Sequence, residues 1–219
     1  AVASRTALIN HVRGAIKSFG QRLPTCSPDG FHKRVLAQLP VELVPALQPI
    51  VHLIGQVTDQ IKSFDARIEK LADERYPATK LLRQVSGVGP VTALSFVLTL
   101  DTPSRVSDSR QVGPYLGLVP RTHDSGASAP QLRITKAGDP GLRRLLVIAA
   151  NYILGHFGPD CDLRRFGLRL AAQGGKNGRK RAKVAVARRL AVLLHHLWKT
   201  GEVYDPFHLA KKRGEAVPA

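Results

Sequence analysis

A histidine, an aspartate and a serine stand side by side in His123-Asp124-Ser125-Gly126-Ala127-Ser128. These are the residue types of a hydrolytic relay, but adjacency defeats it. Neighbouring side chains point apart, so consecutive residues cannot form a Ser–His–Asp line. No Gly-x-Ser-x-Gly elbow accompanies them. What remains is Ser125 in a small, polar stretch, 124–133, read as a loop between basic segments. Such a serine could attack a phosphodiester if cations neutralise the developing charge. The plainer alternative is a solvent-facing loop serine. Ser128 is the reserve candidate. His195-His196 and the lone Cys26 and Cys161 read as core or surface residues, and no metal site is expected.

Three further constellations could hold a polyanion. In Leu82-Arg83-Gln84-Val85-Ser86-Gly87-Val88-Gly89-Pro90, two helices flank a Gly-Val-Gly turn. A helix start offers free N–H groups and a positive dipole end, and Gly87 and Gly89 would let a sugar-phosphate approach. This is a helix-hairpin-helix pattern, with an ordinary αα corner as its alternative. The segment Ile134 to Arg144 sets Lys136, Arg143 and Arg144 around a second helix start at Asp139-Pro140. The run Lys176-Asn177-Gly178-Arg179-Lys180-Arg181 leads into a helix with an apolar stripe at Val186, Leu190, Leu193 and Leu197. Its cations suit backbone phosphates or a solvated face.

The whole chain favours an anionic partner. Its 219 residues carry 33 Lys+Arg against 16 Asp+Glu, a formal charge of +17. Arg133 to Lys199 alone holds 15 cations and three acids. At 43% hydrophobic the chain is rich enough for a core. Its apolar runs are far shorter than the roughly 20 residues of a membrane span. No leader is visible, and the lack of any methionine reads as part of a longer protein.

The elements that must position these residues are helical. A helix is expected from Ser4, as N-cap, to Phe19, and a short one from Phe31 to Leu39. Leu43, Leu47, Ile50, Ile54, Val57, Ile61, Phe64, Ile68 and Leu71 alternate spacings of four and three, a coiled-coil seam or a long amphipathic helix packed on its own domain. Pro45 and Pro49 confine the regular helix to residues beyond about 49. Helices are then expected at 79–85, 90–100, a weaker 108–116, 139–153 and 179–199, with Trp198 in the core.

In order along the chain, Arg5-Thr6-Ala7-Leu8-Ile9-Asn10-His11-Val12-Arg13-Gly14, the long helix, Ser86-Gly87-Val88-Gly89-Pro90, Tyr115-Leu116-Gly117-Leu118-Val119-Pro120, Ser125-Gly126, Arg133-Ile134-Thr135-Lys136-Ala137-Gly138-Asp139, Leu142-Arg143-Arg144, Val184 to Arg188 and Tyr204-Asp205-Pro206 make a composite pattern. It resembles the transposases of the insertion sequence one-ten family, the RNA-guided recombinases. Thr135 stands where the family usually has serine, and Pro114 where a helix former is usual. The resemblance implies an upstream RuvC-like domain whose four acids bind Mg²⁺, a coiled-coil connector, and a domain in which Ser125 attacks DNA and holds the strand as a phosphoserine.

The fold expected is mainly α: a long coiled-coil helix, then a compact helical domain with a helix-hairpin-helix. Residues 1–40 would end the RuvC-like domain, 41–78 would be the connector, 79–200 the transposase domain and 201–219 a flexible tail. The resemblance further implies DNA and a guide RNA as partners, self-association through the coiled coil, no membrane, no cofactor in these residues, and a bacterial cytoplasmic, nucleoid-associated setting. These residues alone would bind DNA without transposing it. A non-catalytic nucleic-acid-binding module is the competing reading.

Overall fold

The computed structural model describes residues 1–123, 125–126 and 132–214. Among them the chain is mainly α, with no strand. It forms two compact units, Ala1–Ile68 and Glu69–Ala219.

The first unit is built on α1 (Val2–Ser18), α2 (Phe31–Val35) and the start of α3 (Val44–Arg75). Ile9, Val12 and Ile16 recur on one face of α1 and pack with Phe31 and Val35 of α2 and Leu47, Val51 and Ile54 of α3. Two details differ from the sequence expectation. The first helix begins at Val2, so Ser4 lies inside it rather than capping it. The long helix begins at Val44 and carries Pro49 inside. Pro45 falls in the first turn, where its missing N–H costs nothing, and Pro49 deprives only the Pro45 carbonyl of a partner.

The apolar seam divides along α3. Leu47 and Ile54 are buried in the first unit's core, and Ile61 is 8% exposed. Phe64 and Leu71, one heptad apart, remain 42% and 37% exposed. No single helix among the described residues is long and apolar enough to cross a membrane. The pair Phe31–Gln38 and Val41–Arg75 passes by composition only, and its apolar side is the buried cluster just described.

The second unit holds α4 (Ala78–Leu82), α5 (Pro90–Leu100), α6 (Val112–Tyr115), α7 (Pro140–Leu154), α8 (Asp162–Gln173), α9 (Gly178–Thr200) and α10 (His208–Lys212). Proline at the first position opens both α5 and α7, and the Asp139 carboxylate accepts the Leu142 N–H at the start of α7. Helix α9 is the spine. Val186, Leu190, Ala191 and Leu194 have no exposure and meet Phe96, Leu116, Leu146 and Ile153. Trp198 sits edge-on to Phe96 in that core.

Residues 201 to 214, expected as a loose tail, are held. Tyr204 N–H donates to the Gln84 side chain, and Asp162 accepts the Leu209 and Ala210 N–H groups at the start of α10. Burial pushes the Tyr204 hydroxyl up, and Cys161 beside it adds to the shift.

His195 is fully buried and pins the 101–111 segment to α9. Its Nε2–H donates to the Pro103 carbonyl at 2.9 Å, so Nδ1 accepts from the Ser109 hydroxyl at 2.8 Å. Burial holds its pKa below the ordinary 6.5. An unfolded histidine therefore takes a proton at a higher pH than the native one. This contribution to stability is complete above about 6.5 and is lost as pH falls toward the native value. The urea midpoint is expected to drop between pH 7.5 and 5.5, and to drop less in His195→Gln. A midpoint flat over that range would refute the account.

Candidate nucleic-acid interface and reactive serine

Ser125 follows, four residues on, a short ribbon made by two segments that run antiparallel. Pro120 bridges Ile134, Arg121 N–H donates to the Arg133 carbonyl at 3.0 Å, and Thr135 N–H donates to the Val119 carbonyl at 2.9 Å. Lys136 N–H continues the pairing to the Gly117 carbonyl at 3.1 Å. The ribbon is too short for a strand, which is why alternation in the sequence gave no sign of it.

Its base is locked by two backbones in contact. Gly117 and Gly138 have φ of +65° and +69°. A Cβ on Gly117 would lie 2.2 Å from the Ala137 nitrogen, and one on Gly138 would lie 2.2 Å from the Tyr115 oxygen. Only glycine permits that approach. Leu116 and Leu118, on either side of Gly117, anchor the segment in the core. Lys136 is held at φ +60°, an uncommon conformation for a side-chain-bearing residue. Arg143 Nη1 then ties the halves together, donating to the Leu116 carbonyl at 3.0 Å and the Ala137 carbonyl at 2.6 Å.

Beyond the ribbon Ser125 and Gly126 are both exposed, with Gly126 at φ +53° and open space around it. A hydroxyl so placed is accessible to a large substrate. His123 is exposed two residues before it. Asp124 and Ser128 lie outside the described residues.

The expected phosphate contacts take different places. Gly87, at φ +85°, is pressed against α7: a Cβ there would meet the Ala149 oxygen and the Tyr152 ring, each at 3.1 Å. It serves packing rather than an open approach. Gly89 is exposed at the start of α5, with ordinary φ and nothing within 4 Å of a Cβ. Arg143 has one guanidinium nitrogen engaged in the clamp just described, whereas Arg144 beside it is exposed. Lys136 is exposed. Lys176 sits in the turn before α9, and Arg179, Lys180 and Arg181 are exposed in the first turn of α9.

One basic element left no clear mark in the sequence. Helix α8 packs as a hairpin against α9, and Gly167 fits between Leu154 and Val186. Arg189 of α9 lies over the Phe166 ring at 3.4 Å. Its pKa is lowered first by burial, then by the charges of Arg213 and Arg169. The signal that could have found it is Leu163, Phe166 and Leu170 at helical spacing, with arginines between them.

No three His, Cys, Asp or Glu side chains among the described residues come together as a group that could hold a metal. The Mg²⁺ chemistry implied by the resemblance thus finds no matching donor set in them.

A sequence model of the transposase IS116/IS110/IS902 family matches residues 79–163, the segment that contains α4, α5, the ribbon, Ser125 and α7. The transposase for insertion sequence element IS1111A of Coxiella burnetii is 28% identical over 209 residues, covering 93% of this chain and 57% of its own length. The Sinorhizobium fredii protein carrying the transposase name y4pF/y4sB is 30% identical over 217 residues, covering 93% of this chain and 53% of its own. The transposase for insertion sequence element IS1328 of Yersinia enterocolitica is 34% identical over 114 residues, 52% of this chain and 34% of its own length. The chain thus spans about half the length of the first two of these relatives. With the ribbon and Ser125 inside the matched segment, the chain carries a transposase IS116/IS110/IS902 family domain at residues 79–163 and is similar along nearly its whole length to proteins named as transposases.

Proposed function

We propose that this chain is the serine-bearing part of a DNA transposase, in which Ser125 cleaves and rejoins DNA strands. The observation that carries the reading is the exposed Ser125, four residues past a ribbon whose base is fixed by backbone contacts at Gly117 and Gly138. A rigid mount and a free hydroxyl suit a nucleophile that must meet one phosphorus atom in line. In the step envisaged, a bond forms from Ser125 Oγ to phosphorus as the ester bond to one deoxyribose oxygen breaks. The serine proton passes to water, and the departing oxygen takes up a proton. Attack by a deoxyribose hydroxyl reverses the step and frees the serine. The number of phosphoester bonds is conserved, so no nucleotide hydrolysis is needed. The Mg²⁺-binding acids belong, in this reading, to a part of the full-length protein outside these residues, and no step here runs through them. The test is capture of a covalent protein–DNA adduct that maps to Ser125.

DNA binding rests on the charge of +17 and on cations spread over the ribbon, α8 and the start of α9. The open start of α5 at Gly89 adds a helix-hairpin-helix contact to the backbone. If six to ten phosphates are neutralised, affinity is expected to fall by about 10³–10⁵ between 50 and 200 mM salt. An anisotropy titration with duplex DNA measures this, and a flat salt response would refute it.

The partners in this reading include a guide RNA and a second copy of the chain. Self-association is assigned to the exposed part of the α3 seam. Phe64→Asp with Leu71→Asp is expected to turn a dimer into a monomer in sedimentation without unfolding it, since both positions are exposed. A wild-type chain that sediments as a monomer at high concentration would overturn the assignment.

A further inference from the structure

Arg121 and Arg133 face each other across the outer rung of the ribbon, with Arg121 four residues before Ser125. The Pro120–Ile134 bridge and the main-chain bond from Arg121 to Arg133 fix that register. Both side chains are exposed, and among the described residues neither makes an ion pair. Like charges directly opposite one another destabilise an antiparallel pair. The fold gains nothing visible in return, because the rung is held by main-chain atoms and the ribbon's clamp is Arg143, not these two arginines.

Two guanidinium groups set side by side against their repulsion fit an anion between them. Directly opposed residues have Cβ atoms about 4.5–5.5 Å apart, within reach of a single phosphodiester or of two neighbouring ones. The planar fork of arginine matches phosphate oxygens in pairs.

We propose that Arg121 and Arg133 together hold one phosphodiester of duplex DNA, neutralising its non-bridging oxygens. The inference rests on the DNA-binding reading above, yet it names the contact and can fail alone.

The test uses the chain as it stands, with a fluorescent DNA duplex as probe and an RNA duplex of equal length as a second arm. Arg121→Ala with Arg133→Ala is expected to lower the slope of log affinity against log salt by about 0.9, the value for one phosphate that is no longer neutralised. Without nucleic acid, the double variant should melt no lower than the wild type, because a repulsive pair has been removed. A control lacking Lys33 and Arg34, two cations of the first unit, should change the slope by less than half as much. An unchanged slope, an equal change in the control, or a loss confined to the RNA arm would overturn the proposal. So would melting several degrees lower in the free double variant, the mark of a structural pair; each single variant gives the same slope test if the double variant is too unstable. A wild-type chain with no affinity for DNA would overturn the DNA-binding reading itself, and the proposal with it.

Discussion

Ser125→Ala, introduced into a full-length protein carrying this segment, is expected to abolish both strand cleavage and the covalent protein–DNA adduct. Removing a nucleophile's only reactive atom leaves no weaker version of the same step, so the loss should be complete rather than graded. DNA affinity should fall no more than severalfold. A neutral hydroxyl contributes about 1 kcal/mol beside many charged phosphate contacts. Stability should also hold, since the side chain is exposed. Ser128→Ala is the control and should still cleave. An adduct that survives in Ser125→Ala, or one that maps to Ser128, would move the chemistry to the other serine. Cleavage without any adduct from either serine would mean direct hydrolysis by another part of the protein, and these residues would then be a binding module.

The parts of the fold that were legible in the sequence are those with local punctuation. Helix α5 runs from Pro90 to Leu100 as expected, and α7 begins at Pro140 behind its Asp139 cap, because proline and a capping carboxylate mark a helix start without tertiary help. Helix α8 carried no such mark. Its first turn is capped by the Cys161 sulfur, while Asp162, which reads as an ordinary first-turn acid, has its carboxylate turned to the start of α10. That same contact explains why 201–214 looked free in the sequence and is held in the fold. The exposed, polar setting of Ser125 was legible, and the ribbon that precedes it was not. The ribbon joins 117–121 to 133–136 through main-chain hydrogen bonds, which leave no trace in side-chain periodicity. Arg143 has a role its sequence did not show. Its charge reads as a phosphate contact, and in the fold Nη1 also binds two carbonyls that only the folded chain brings together.

Alanine replacements at three glycines are expected to separate what the sequence presents as alike. Gly117→Ala should be the most damaging. Its φ of +65° already disfavours a side chain, and the new Cβ would lie 2.2–2.6 Å from atoms of the Lys136-Ala137 backbone. Backbone cannot swing aside as a side chain tip can, so strain and overpacking add, to about 3–5 kcal/mol. At roughly 2–4 °C of melting temperature per kcal/mol for a chain of this size, the midpoint should fall by about 6–20 °C. Gly126→Ala meets the same conformational cost at φ +53° but has nothing within 4 Å, so about 1 kcal/mol is the expected loss. Gly89→Ala has neither cost and should melt within a degree or two of wild type. Its effect should fall on DNA affinity, because a methyl group at the open start of α5 stands where a sugar-phosphate would come close. Thermal melts of the three variants test the order, and anisotropy with duplex DNA tests the separation. If Gly117→Ala melts like Gly126→Ala, the contact between the 115–118 and 136–138 backbones is not what holds the ribbon. The serine's mount would then have to come from Arg143 and the Leu116 and Leu118 anchors instead.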